Sequence, residues 1–473
     1  MNESSPISRA ARRRFLRRAG TLAGQATLLG FGATMAGAPV LAQSGDYRAL
    51  VCVFLYGGND GLNMVPPTDP DAHARYAAVR GPLALARQDI VPLDGTIGLH
   101  PAMTELGGAW ADNRLAVICN AGPLSRPTTL ADFLAWRDRH DNAFVPDSLF
   151  SHADQQILWE NGHADALVRS GWGGRLLEAL GTGQPTFTFG GNSRFGTGDR
   201  QQELGLPGPG SRLGLDGFDQ SEWATARMGA LQALVGQGST NRLQQAFSAS
   251  QRTAFDTSSR LGGILEQAPD GASADAANPE LSAAFNHLAG ASGGHLSRQL
   301  YQVAKMIKQR AVVGGNRHVF FVSLGGFDNH ADQAGDHAAL MGELSTALAA
   351  FQRAMDAVGS SNQVTLFTES DFGRTFKPNS SNGTDHAWGN QQLVLGGAVN
   401  GGARYGSYPS LMLGGPDDAG ENEWEHQGRW IPSVSVDQYA ATLAAWFAPE
   451  LGGNLAAVLP NLSRFSVRNL GFV

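Results

Sequence analysis

Four short stretches of this sequence place carboxylates and imidazoles beside glycines: Gly57-Gly58-Asn59-Asp60, Gly325-Gly326-Phe327-Asp328-Asn329-His330, Glu369-Ser370-Asp371-Phe372-Gly373-Arg374 and Gly383-Thr384-Asp385-His386. Clustered carboxylates and imidazoles must be neutralised, and a divalent metal does so. Asp with His and no thiolate suits Zn²⁺, Mn²⁺ or Ca²⁺, in one or two ions, rather than copper or an iron–sulfur cluster. Asp60, Asp328, His330, Asp371 and His386 are therefore the candidate ligands. Each also has a plainer reading as a turn residue, an Asx-turn or a helix cap. Ser151-His152 opens a helical segment. A hydroxyl there lies in positive potential, so Ser151 is a candidate nucleophile as well as a candidate N-cap. Arg374 carries a fork suited to phosphate or sulfate, or to a structural salt bridge.

The elements that must position these residues are legible as apolar runs. Ala49–Leu55, Leu115–Cys119, Val319–Leu324 and Val364–Thr368 each read as a strand buried on both faces, the kind found in parallel sheets, and Gln392–Leu395 adds another. Leu340, Leu344, Leu348, Phe351 and Met355 recur at helical spacing between two of the strands, which makes a βαβ unit. Asp437 begins a further helix running to Phe447. The fold class expected is α/β, a mostly parallel sheet sandwiched by helices. Residues 200–315, rich in Gly, Ser, Ala and Gln, read as a mostly helical insertion. In open parallel sheets ligands bind beyond the carboxyl ends of the strands, where the polar stretches fall. Cys52 and Cys119 sit inside apolar runs, as buried thiols or as a disulfide between neighbouring strands.

The first 42 residues read as a twin-arginine signal. Arg12-Arg13-Arg14-Phe15-Leu16-Arg17 precedes a Gly/Ala-rich stretch from Leu22 to Met35, and Val40-Leu41-Ala42 offers a cleavage site. The apolar stretch is too short and too glycine-rich for a stable membrane anchor. Export through the twin-arginine translocase to the periplasm or beyond is thus expected, with residues 43–473 as the mature domain. Six of the 35 basic residues and one of the 42 acidic ones lie in the signal, leaving 29 against 41. Such an acidic chain is a poor partner for nucleic acid, whose binding rests on neutralising phosphates.

Longer motifs around these residues resemble a known family. Gly57-Gly58-Asn59-Asp60-Gly61-Leu62-Asn63, Gly98-Leu99-His100-Pro101-Ala102, Ser151-His152, Gly326-Phe327-Asp328-Asn329-His330, Phe372-Gly373-Arg374-Thr375 and Gly383-Thr384-Asp385-His386-Ala387-Trp388-Gly389 occur in order. They resemble the exported bacterial proteins grouped as domain of unknown function 1501, over nearly the whole mature chain. That family looks related to the alkaline phosphatase and sulfatase superfamily, which implies an α/β sandwich with a metal site at the carboxyl edge of the sheet. By this resemblance Asp60 falls at the first-strand ligand position, Ser151 at the helix-opening nucleophile, and His386 at the last histidine. Asp328 and His330 resemble the superfamily's Asp-x-x-x-His pair with a shorter spacing. Asp371 keeps its place in the Ala-Asp-His-Gly motif, while Phe372 stands where the second histidine belongs. Fewer ligands remain than two full metal sites need.

These readings converge on an exported, metal-dependent hydrolase of small phosphate or sulfate esters. The ion would sit on Asp60, Asp328, His330, Asp371 and His386, with Ser151 and Arg374 as catalytic residues. The alternative is a non-catalytic exported binding or assembly protein that keeps the fold with an incomplete metal site.

Overall fold

The computed structural model describes residues 47–473, apart from 140–144, 147, 164–166, 208–212, 214–221, 237, 239, 266–274, 290–293 and 421. The expected signal, residues 1–42, lies outside the described residues. The described residues fall into two compact units, one of them formed from within 213–262. That smaller unit holds helix Glu222–Val235 and most of helix Arg242–Leu265. The helical reading of the middle of the chain holds there. Residues 200–315 also contain helix Pro279–Ala284, helix His295–Lys308 and one two-residue strand, Leu204–Gly205.

The larger unit is built on a nine-stranded sheet. Its strands are β1 (Arg48–Leu55), β2 (Leu115–Gly122), β3 (Phe187–Thr188), β4 (Leu204–Gly205), β5 (Arg317–Leu324), β6 (Val364–Ser370), β7 (Asn390–Gly396), β8 (Ala403–Tyr405) and β9 (Val434–Ser435). They run in the order β8-β2-β7-β6-β1-β5-β3-β4, with β9 also on β2. All pairs are parallel except those of β7, which is antiparallel to both β2 and β6. The sheet is thus mostly parallel, as its unbroken apolar strands require: a parallel sheet hides both faces, so its strands need apolar residues at every position. Leu50, Cys52 and Phe54 face one way, into a core with Trp159, Trp172 and Tyr439. Val51, Val53 and Leu55 point to the opposite face and are as fully buried.

Helices α1 (Gly61–Met64), α2 (Pro70–Arg80), α3 (His152–Asn161), α4 (Trp172–Leu180), α5 (Gln333–Ala357) and α6 (Val436–Phe447) are the ones that matter for the site. Helix α5 begins seven residues before Leu340, the first residue of the apolar periodicity, because Gln333 and His337 are buried polar residues in its first turns. Helix α6 is capped by Ser435, whose side chain accepts from Gln438 N while Gln438 returns the bond, a capping box. Asp437, expected as the cap, is the second helical residue. Both cysteines are free and buried. They lie on β1 and β2, which two other strands separate, so neighbouring-strand pairing is ruled out. Among the described residues no helix is long and apolar enough to cross a membrane.

The register sets up the functional edge. Leu55 lies level with Leu324 on one side and with Ser370 on the other. Three parallel strands therefore end side by side, and the chain leaving each one carries a glycine- and carboxylate-bearing stretch.

Asp437 gives a test of the fold that is independent of that edge. Burial, against the pull of Arg175 and Arg464, raises its carboxyl from the ordinary 3.8 to about 7. The unfolded chain then releases this proton first, so the contribution to stability is full below about 4 and is lost as pH rises through about 7. Asp437→Asn should gain stability relative to wild type as pH rises from 5 to 8, read from urea midpoints. An unchanging difference would refute the assignment.

Candidate metal centre at the carboxyl edge of the sheet

Asp371 directly follows β6 and is fully buried. Its Oδ1 accepts from Gly57 N at 3.1 Å, which ties the end of β6 to the turn after β1. Its Oδ2 accepts from His152 Nδ1 at 2.6 Å and from Gln156 Nε2 at 2.8 Å, both on the first turns of α3. Ser370 reinforces the junction, donating to Leu55 O and accepting from Asn59 N. Glycine is needed in this turn. Gly57 has φ +112°, and a Cβ there would lie 2.5 Å from Asp328 N.

Three imidazoles converge on one carboxylate oxygen. Asp328 Oδ1 lies 2.9 Å from His330 Nε2, 3.3 Å from His152 Nε2 and 3.5 Å from His386 Nε2. His330 Nε2 and His386 Nε2 are 3.1 Å apart. Each ring is held by its other nitrogen. His152 Nδ1 meets Asp371, His330 Nδ1 meets Asp385 Oδ1 at 3.0 Å, and His386 Nδ1 meets the Phe150 carbonyl at 2.7 Å. A carbonyl or carboxylate only accepts, so each Nδ1 is the donor in its contact and each ring turns its Nε2 toward Asp328. His152 Nε2 is buried without a hydrogen-bond partner. Imidazoles steered by carboxylates and carbonyls at the far nitrogen are the usual outer shell of a metal site. His152, Asp328 and His386 offer ligand atoms all within 4.8 Å of one another. Two nitrogens and one oxygen are three of the donors that a four-coordinate divalent ion takes, and His330 Nε2 stands beside two of them.

The electrostatics suit that reading. Burial pushes Asp328 up, but the hydrogen bond and charge of Arg374 outweigh it and hold the carboxyl at about 2. Burial lowers His386, disfavouring its charged form. The hydrogen bond to Asp371 raises His152 against the effect of burial. Phe372 is fully buried with its ring against His152 and His386, centroids 4.7 and 4.6 Å apart. At the position of an expected ligand, it forms an apolar wall.

The structure brings together Asp328, His330 and His386 and puts the other expected residues elsewhere. Asp371 spends both oxygens on His152, Gln156 and Gly57, one step outside the cluster. Asp60 caps α1 through Asn63 N, is paired with the buried Arg80, and accepts from Gln333 Nε2 at 2.6 Å. It holds α1, α2 and α5 together, so the plainer reading of Asp60 as a cap accounts for its contacts. Arg374 is buried and donates to the carbonyls of Gly57, Gly58 and Thr384 and to Asp328. These bonds lace three loops together and leave no open fork for an anion. Ser151 occupies the N-cap position of α3 with extended backbone and makes no side-chain capping bond. His152, Asp385 and Phe150 were not singled out by the sequence. His152 stood in the Ser151-His152 pair, but nothing local distinguishes a ligand from a surface histidine.

The chain belongs to the family described as "Protein of unknown function (DUF1501)", which matches residues 47–417. Among curated proteins nothing matches it. Among solved structures, it is similar to Ps i-CgsB in complex with k-i-k-neocarrahexaose, at 11% identity over 85% of this chain and 72% of that one, with a TM-score of 0.30. It is also similar to a variant of the alkaline phosphatase PafA, at 9% identity over 70% and 63% of the two chains, TM-score 0.30. A third is the lipoteichoic acid synthase LtaP from Listeria monocytogenes, at 9% identity over 87% and 84%, TM-score 0.31.

Two substitutions separate frame from centre. Asp371→Asn removes no donor to the ion but weakens the hold on His152, and should lower zinc affinity about 10–100-fold in competition with a chelator. Asp60→Ala strands the buried Arg80 charge and should cost about 3–5 kcal/mol of stability by denaturant unfolding. Where that variant folds, its zinc affinity should match wild type. A specific loss of zinc there would restore Asp60 to the ligand set.

Proposed function

We propose that this member of the family is an exported, metal-dependent hydrolase of phosphate or sulfate esters. One divalent ion is held by His152, Asp328, His330 and His386. The observation that carries the reading is the aim of three imidazole Nε2 atoms at Asp328 Oδ1, each ring secured at Nδ1. Such an ion, when bound, polarises an ester oxygen and lowers the pKa of a coordinated water or hydroxyl. Asp371 and Asp385 keep the rings of His152 and His330 in the tautomer that leaves Nε2 bare. Phe372 excludes water from the inner side of the cluster. Asp328, His330 and Asp385 are each almost half exposed, so the cluster opens to solvent on the other side.

Charge supports an anionic substrate only with the ion present. Asp328, Asp371 and Asp385 outnumber Arg374 and Arg429 around the cluster, and a divalent cation reverses the balance. Ser151 immediately precedes His152, and its hydroxyl is not consumed by capping α3, which keeps it available as the nucleophile. The second reading, a binding or assembly protein with an incomplete set, is favoured by Phe372 at a ligand position and by the engagement of Asp60 with Arg80.

Purified protein loaded with Zn²⁺, Mn²⁺ or Ca²⁺ is expected to hold about one ion per chain and to hydrolyse generic phosphomonoester, phosphodiester or sulfate ester substrates. Asp328→Asn should abolish both. Ser151→Ala should keep the ion and lose at least about 100-fold in kcat. Stoichiometric metal with no turnover of any of these esters would favour the binding-protein reading. Unimpaired turnover by Ser151→Ala would assign the attack to water.

A further inference from the structure

A second arginine stands beside the histidine cluster, and its circumstances are the reverse of those of Arg374. Arg429 Nε donates to the carbonyl of His386 at 3.0 Å, and the guanidinium lies over the Phe150 ring, 5.2 Å from its centroid. The Phe150 carbonyl is the acceptor of His386 Nδ1, so these three residues clamp one another. The start of the side chain is fixed as well. Arg429 N donates to Asp418 Oδ1, and Ala419 N donates to the Arg429 carbonyl. Phe150 has φ 73°, a left-handed conformation that is uncommon for an aromatic residue and costs about 1–3 kcal/mol. Strain of this kind persists only where the surroundings impose it. Here it turns the Phe150 carbonyl onto His386 and sets its ring against Arg429.

Among the described residues, neither Nη group of Arg429 has a hydrogen-bond partner. The residue is half-buried. Acidic groups stand nearby, yet each is engaged. Asp418 accepts from the backbone N–H groups of Gly414, Gly428 and Arg429. Glu425 pairs with Arg137 at 3.2 Å, and Asp385 takes His330 and Asn379. An anchored guanidinium is thus left with four N–H donors open beside a histidine of the cluster. Donors that face solvent from an anchored side chain can exchange water for an oxyanion without reordering the arginine.

We propose that Arg429 is the oxyanion-binding residue of this site. Its two Nη groups form the fork that grips two oxygens of a tetrahedral phosphate or sulfate group, leaving a further oxygen to face the histidine cluster. The inference rests on reading the cluster as a metal centre for anionic esters. It assigns to Arg429 the part expected of Arg374, whose donors are already committed to three loops.

The test uses inorganic phosphate titrated calorimetrically into the zinc-loaded protein. Arg429→Gln should weaken phosphate binding about 10–100-fold while one zinc per chain is retained in the folded variant. Arg429→Lys, which keeps the charge without the fork, should fall between the two, and it reads the same effect should the Gln variant not fold. Phosphate binding of wild-type strength in either folded variant would overturn the assignment, as would loss of zinc from Arg429→Gln, since Arg429 would then serve to hold His386. If wild type takes zinc and binds neither phosphate nor sulfate, the ester-hydrolase reading falls with it. If it takes no zinc, the metal centre itself falls.

Discussion

Three imidazole Nε2 atoms face one oxygen of Asp328, and holding that convergence in place is the constraint on which the surrounding loops depend. The carboxylate of Asp328 is kept ionised down to about pH 2, and burial disfavours the charged form of His386. Protonating a ring relieves one contact at a time. A divalent ion held there would meet the atoms of His152, Asp328 and His386 together. Much of the surrounding architecture makes sense as a means of holding these donors in place: the partners at each Nδ1, the apolar wall of Phe372 and the glycine turn at Gly57.

The frame achieves this by connecting loops to strands rather than to one another alone. Gly57, Asp371 and Ser370 join the ends of β1 and β6, and Arg374 joins the turn after β1 to Asp328 and to Thr384. A buried arginine spread over three backbone carbonyls and a carboxylate is well suited to this task, because its planar fork fixes several directions at once. The same commitment removes it from substrate binding. Arg374 and Arg429 thereby divide what one arginine was expected to do, one bracing the loops and the other presenting open donors.

Asp60 shows how a sound chemical expectation is redirected by packing. An aspartate after a strand-ending Gly-Gly-Asn is well placed for a metal, and the register does bring that strand end level with its neighbours. Yet α2 returns Arg80 to it as a buried partner, and α5 adds Gln333. A buried carboxylate with a guanidinium and an amide already satisfying it has little left to offer an ion.

The sequence alone determined the five long strands, several of the helical stretches and the edge of the sheet that carries the chemistry, while the two- and three-residue strands at its margins carry no such pattern. Apolar runs such as Leu50–Leu55 and Val319–Leu324 can be buried on both faces in few other ways, and polar residues next to them must emerge where the strands end. Asp328, His330 and His386 were legible for the same reason, each lying in a glycine-marked stretch of this kind. What only the tertiary structure decided is which donors meet. His152 comes from a helix more than a hundred residues away in sequence from Asp328, and its Nδ1 is claimed by Asp371, which thereby becomes its support. The antiparallel placement of β7 and the separation of Cys52 from Cys119 were likewise set by strand order. Local pattern fixes what a residue is able to do, whereas partners brought from distant parts of the chain decide whether its lone pairs and protons are still free to do it.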